Sequence, residues 1–159
     1  MDLFCDPETA LIVDMDGTLL RNDYFVDTLI AQVMRQPWVL LKNLSWDLVL
    51  FKERTLATIR FDPDHVRSMA NEEVLNYIQA HRASFKAVEL VSASPEFFVQ
   101  MVGDVFGCFD FCAGSKNGVN LKSERKLDYI KSRYDRFCYI GDSRADEVIF
   151  QAAEKYYRV

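Results

Sequence analysis

No excess of basic residues runs through this chain: 19 Lys and Arg stand against 24 Asp and Glu, for a formal net charge of −5. A protein that grips a phosphate backbone needs clustered cations. Only the stretches Lys122–Lys126 and Lys131–Arg136 gather them here, so no nucleic-acid partner is expected. Cysteine is equally sparse. Cys5, Cys108, Cys112 and Cys138 include no Cys-x-x-Cys pair, and no second ligand pair accompanies Cys108 and Cys112. Buried, reduced thiols are expected rather than a zinc site. The acidic N-terminus lacks an apolar leader segment, which with the few cysteines predicts a reducing, cytoplasmic location. No apolar run reaches bilayer length. The richest window, Trp38–Phe51, spans 14 residues and carries Lys42 and Asp47, too short to cross a membrane. Internal repeats and low-complexity segments are also missing.

What is present is half hydrophobic and 27% charged, over a length of 159 residues. That suits one soluble domain with a substantial core and a small insertion. Strands are expected at Ala10–Asp14, Ala87–Val91, Phe109–Ala113, Phe137–Ile140 and Tyr156–Val159. Helices are expected at Asp23–Met34, from Pro37 to about Phe51 or on toward Ile59, from Asp62-Pro63, and after Asn71. Further helices are expected at Ser94-Pro95-Glu96 to Val105, after a Ser123 cap, and at Ala145–Ala153. From residue 71 strands alternate with helices, which predicts a parallel sheet covered on both faces. About fifty helical residues interrupt that rhythm after the first strand. Open α/β sheets bind ligands beyond the carboxyl ends of their strands, so an insertion there is placed to act as a lid.

The first strand ends in the stretch "LIVDMDGTLL", Leu11–Leu20. Two carboxylates one residue apart repel each other, and desolvating them is costly unless a cation or proton pairs with them. The other strand ends supply such partners. Ser92 comes after the second strand, Lys126 opens the helix after the third, and Gly141, Asp142 and Asp146 come after the fourth. A parallel sheet brings all of these to one edge. Together they suit phosphoryl transfer: a carboxylate nucleophile, a second carboxylate as acid and base, a hydroxyl and a lysine for the phosphoryl oxygens, and acids for a hard divalent ion. Gly17 permits the tight turn that the two aspartates need.

In this order "VDMDGT" (Val13–Thr18), "LVSAS" (Leu90–Ser94), a helix-opening lysine and "GDSRAD" (Gly141–Asp146) resemble the four motifs of the haloacid dehalogenase superfamily of aspartate-nucleophile phosphatases. The resemblance covers the whole chain. The segments "NEEVLNYI", "GVNLKSERKLDYI" and "YIGDSRAD" look closest to the phosphatase-like domain fused ahead of UbiA-like prenyltransferases, although no prenyltransferase follows before Val159. The resemblance implies a three-layer, Rossmann-like α/β core at 1–21 and 71–159, with a small helical cap at 22–70. It implies a Mg²⁺-dependent phosphomonoesterase. Asp14 matches the nucleophile and a metal ligand, and Asp16 the general acid and base, with its carbonyl a second ligand. Thr18, Ser92 and Ala93 match the phosphate-binding positions. Asp142 matches the acidic metal ligand and Asp146 the acid that orients metal or lysine. Lys126 is the favoured lysine, with Lys122 and Lys116 as alternatives.

Arg21 and Asn22 are expected at the site mouth, and His65 and His81 away from it. The cap points to a small or lipid-linked phosphate as substrate. The tryptophans Trp38 and Trp46 raise contact with a membrane or a prenyl-like chain, and a monomer or homodimer is expected. A non-catalytic docking module that keeps the fold is the competing class.

Overall fold

The computed structural model describes residues 7–24, 26–27, 48–58 and 61–159. The strands are β1 (Ala10–Val13), β2 (Ala87–Pro95), β3 (Phe111–Ser115), β4 (Phe137–Gly141) and β5 (Lys155–Arg158). They form one sheet in the order β3-β2-β1-β4-β5, and every adjacent pair is parallel. The helices are α1 (Leu48–Thr58), α2 (Pro63–Ser68), α3 (Glu72–His81), α4 (Glu96–Phe106), α5 (Glu124–Arg133) and α6 (Glu147–Ala152).

β1 is the middle strand and is buried on both faces, as the run "ALIV" requires of a parallel sheet sandwiched between helices. Alternation sends Leu11 and Val13 to one side and Ala10 and Ile12 to the other. The first pair joins Val88, Leu90 and Ile140 under Val74 and Ile78 of α3 and Val99 and Val102 of α4. The second pair joins Val91, Phe137 and Tyr139 under Ile130 of α5 and Ile149 and Phe150 of α6. The result is the expected three-layer α/β architecture. Val13 stands level with Leu90 and Ile140, so the residues just beyond β1, β2 and β4 emerge together.

The segment after β1 is stitched shut at its base. Arg21 N–H donates to Met69 O at 2.9 Å and Asn71 N–H donates to Leu19 O at 2.8 Å. Both junctions therefore lie just beyond the Asp14–Asp16 turn. Its described part is helical, and Tyr24, Leu56, Val66 and Met69 pack into the same apolar cluster as α3 and α4. Asp62 caps α2, accepting from Asp64 N–H at 3.1 Å with Pro63 at the first position, and Asn71 caps α3 through Glu73 N–H at 3.3 Å. Trp38, Trp46 and Cys5 lie outside the described residues, as do the two expected helices up to residue 47 apart from Asp23, Tyr24, Val26 and Asp27. No helix among the described residues is long and apolar enough to cross a membrane.

Three local expectations are corrected. Ser94 does not open a helix. β2 stays extended through Pro95, because a proline disfavours helical backbone in the residue before it. Ser123 precedes α5 but at φ 54 and ψ −123, where its hydroxyl caps nothing. The third strand starts two residues later than expected, after Asp110 has paired with Val88 through both its backbone N–H and its carboxylate.

Candidate active site

The β1–β4 ladder continues one residue past the strand. Asp14 N–H donates to Ile140 O at 2.9 Å, which fixes the Asp14 backbone at the sheet edge. The chain then turns through Gly17 at φ +77, a region that side chains other than glycine's disfavour. A β-carbon at Gly17 would also run into the Asp142 carboxylate. Glycine thus lets the first motif close onto the fourth.

Behind Asp14 stands Lys126, from the first turn of α5. Its Nζ lies 2.8 Å from Asp14 Oδ1, 3.4 Å from Asp146 Oδ1 and 3.2 Å from the Tyr139 hydroxyl. All three of its N–H bonds are engaged and its side chain is 3% exposed. Burial alone would lower the Lys126 pKa, but the charges of Asp14 and Asp146 outweigh it and hold the ammonium above its ordinary range. Asp14 is pushed up to about 6, by burial first, with Lys126 opposing and Asp146 adding to the rise. Lysines 116 and 122 stand elsewhere. Lys116 pairs with Glu96 at 2.7 Å on the surface, and Lys122 is exposed on the cleft wall.

Asp16 is held differently. Its Oδ2 accepts from Ser92 Oγ at 3.2 Å and from Ser94 Oγ at 2.9 Å. Burial, then the charges of Asp23 and Asp14, push its pKa up to about 7. One carboxylate thus sits beside a lysine and the other beside two hydroxyls, and burial raises the pKa of both.

Oxygens of Asp14, Asp142 and Asp146 lie within 4.8 Å of one another. Asp146 Oδ2 is buried with no hydrogen-bond partner among the described residues. Burial, then the charge of Asp146, raises the Asp142 pKa. Hard carboxylate oxygens crowded together, one of them orphaned, fit a divalent cation such as Mg²⁺.

These groups open on a cleft of about 460 Å³, whose wall also carries Ala93, Arg21, Lys52 of α1, Asn120 and Asp23. Of the expected site residues the structure brings together Asp14, Asp16, Ser92, Ala93, Lys126, Asp142 and Asp146. Thr18 is not on the wall. Its side chain is fully buried and its hydroxyl has no partner among the described residues. Asn22 turns aside to donate to Asp27 at 3.1 Å. His65 is exposed on α2, and His81 Nδ1 lies 3.0 Å from Tyr77 O at the end of α3. Ser94 and Tyr139 join the site without an expectation from sequence. Ser94 does carry a signal, since it stands two residues from Ser92 within "LVSAS".

No family model matches the chain. It is 33% identical over 162 residues to an uncharacterized protein of Sinorhizobium fredii, covering 96% of this chain and 30% of that protein. The chain thus spans under a third of the length of that curated relative. A phosphoserine phosphatase solved as a phospho-aspartyl intermediate analogue superposes with a TM-score of 0.54 at 14% identity, over 96% of this chain and 87% of the other. A haloacid dehalogenase-like family hydrolase of Streptococcus pneumoniae gives 0.54 at 16% identity, over 92% and 82%. The shared feature is the fold, a haloacid dehalogenase-like α/β core.

Proposed function

We propose that this chain is a Mg²⁺-dependent phosphomonoesterase that works through an aspartyl-phosphate on Asp14. The observation that carries the reading is the buried contact of Lys126 with Asp14 and Asp146, beside an Asp16 held by two serine hydroxyls. The fold shared with a phospho-aspartyl analogue of phosphoserine phosphatase supports it.

In this reading the Asp14 carboxylate attacks phosphorus while the bond to the leaving oxygen breaks. Asp16 gives its proton to that oxygen. Asp16, now a carboxylate, then takes a proton from the water that attacks the aspartyl-phosphate, releasing inorganic phosphate and restoring Asp14. Lys126 supplies positive charge to the phosphoryl oxygens and holds Asp14 in place. Ser92 and the Ala93 backbone line the place where those oxygens sit. Asp14, Asp142 and the Asp16 carbonyl would hold the divalent ion, with Asp146 orienting it or the lysine. When bound, the ion adds charge stabilisation for the transferring group.

Segment 22–70 is read as a helical cap over the cleft, with Asp23, and Lys52 of α1, its described contributions to the wall. The cap favours a small or lipid-linked phosphate. The test is turnover of p-nitrophenyl phosphate and a panel of phosphorylated metabolites and prenyl phosphates, with Mg²⁺ or with EDTA. Mg²⁺-dependent release of phosphate is expected. No release from any of them would overturn the reading.

A further inference from the structure

The Asp16 carboxylate is gripped by β2 in a way that the four motifs do not account for. β2 runs across Ala87–Pro95, its pairing with β3 shifts register between Val91 and Pro95, and there Ser92 and Ser94 both turn their hydroxyls to Asp16. Pro95 keeps Ser94 out of helical backbone. Gly114 of β3 has no room for a β-carbon against Ser94 O and Glu96, so this corner is packed tightly in place. Both hydroxyls reach Asp16 Oδ2, at 2.9 Å from Ser94 and 3.2 Å from Ser92. Ser92 Oγ also accepts Ser94 N–H at 3.0 Å, which ties the two serines together. Asp16 Oδ1 is buried and has no hydrogen-bond partner among the described residues. Ser94 is 1% exposed and is not on the cleft wall.

We propose that Ser94 is the positioning residue for Asp16: its hydroxyl, with that of Ser92, fills the lone pairs of Oδ2, so the carboxyl proton resides on Oδ1 and is delivered from there. The inference rests on the reading of Asp16 as proton donor. In the forward step the leaving oxygen takes the Oδ1 proton as its bond to phosphorus breaks. The negative charge left on Asp16 is then met at Oδ2 by two hydroxyl donors already in place. Ser92, unlike Ser94, lines the cleft. When it turns to the substrate, Ser94 is the donor that keeps the carboxylate from rotating. Ser94 acts through Asp16 and touches no substrate.

The test separates orientation from packing by the leaving group. An alkyl phosphate needs its leaving oxygen protonated, and p-nitrophenyl phosphate needs this far less. Single-turnover rates of phosphoryl transfer to Asp14 are measured for both substrates in the wild type, Ser94→Ala and Ser94→Thr, with thermal denaturation as a folding control. Proton delivery contributes on the order of 10²–10⁴-fold. Ser94→Ala should therefore slow the alkyl substrate at least about tenfold more than the aryl one, with little change in substrate KM. Ser94→Thr, which keeps the hydroxyl, should restore most of the rate. In an Asp16→Asn background, Ser94→Ala should no longer change the ratio of the two rates. Equal slowing of both substrates, or an unchanged effect in the Asp16→Asn background, overturns the proposal and leaves the phosphatase reading standing. A wild-type protein that transfers phosphate from neither substrate overturns that reading, and the proposal with it.

Discussion

Replacing Lys126 by Met keeps the length of the buried stem and removes its charge. Asp14 and Asp146 then share a nearly dry site, 9% and 3% exposed, with no cation between them. Breaking a buried pair in this way costs about 3–5 kcal/mol. The pH dependence comes from Asp14. Its pKa is already raised from 3.8 to about 6 with the lysine present. An acid raised on folding loses stability as pH climbs from its unfolded to its folded pKa. For the wild type that window runs from 3.8 to about 6 and costs roughly 3 kcal/mol. Without Lys126 the folded pKa moves higher and the penalty keeps growing above pH 6. Lys126 itself stays charged throughout, its own pKa being raised. The gap between the proteins should therefore grow from pH 5 to pH 8 by at most about 2.7 kcal/mol, two pH units above pH 6 at about 1.36 kcal/mol each. Urea denaturation in EDTA at both pH values measures it, as a midpoint shift about 1–2 M larger at pH 8 than at pH 5. Added Mg²⁺ should recover part of the loss by pairing with the two uncompensated carboxylates. A gap below about 1 kcal/mol at pH 8, or one of equal size at both pH values, would refute the reasoning.

Gly17→Ala should destabilise the fold by about 1–3 kcal/mol, since the residue has φ +77 and its β-carbon meets the Asp142 carboxylate, and it should weaken Mg²⁺ binding by titration calorimetry. Asp14→Asn should abolish turnover yet raise the melting temperature in EDTA at pH 8, because the amide removes a buried carboxylate; turnover within tenfold of wild type would remove Asp14 as nucleophile. Asp16→Asn should still accept a phosphoryl group from p-nitrophenyl phosphate but release it at least about a hundredfold more slowly, and equal dephosphorylation rates in a quenched-flow experiment would discount its role.

The central strands β1, β2 and β4 are legible in the sequence because they are buried on both faces, which near-continuous apolar runs such as "ALIV" and "AVELV", the latter broken only by Glu89, satisfy. The strand ends that carry Asp14, Ser92 and Asp142 come directly from those runs. Glu89 is harder to read. It sits in the middle of β2 with 0% exposure and is satisfied by Arg133 at 3.1 Å and by Tyr129, distant partners along the chain that no local pattern reveals. Lys126 is already the favoured lysine in the sequence; what only tertiary placement shows is that it turns inward onto Asp14 while Lys116 pairs with Glu96 on the surface. Thr18 is the converse case. Motif position suggests the cleft, but the turn after Gly17 folds its side chain into the interior. The pairing of two serines on Asp16 is hidden because Ser94-Pro95-Glu96 has the look of a helix start, when the first effect of the proline is to prolong the strand.

The most direct test is to quench the protein in acid during turnover of p-nitrophenyl phosphate with Mg²⁺ and map its peptides by mass spectrometry. The account predicts one added phosphoryl group on the peptide containing Asp14, enriched in Asp16→Asn and missing from Asp14→Asn. Turnover by the wild type with Asp14 unmodified, even in Asp16→Asn where the intermediate should accumulate, would contradict it.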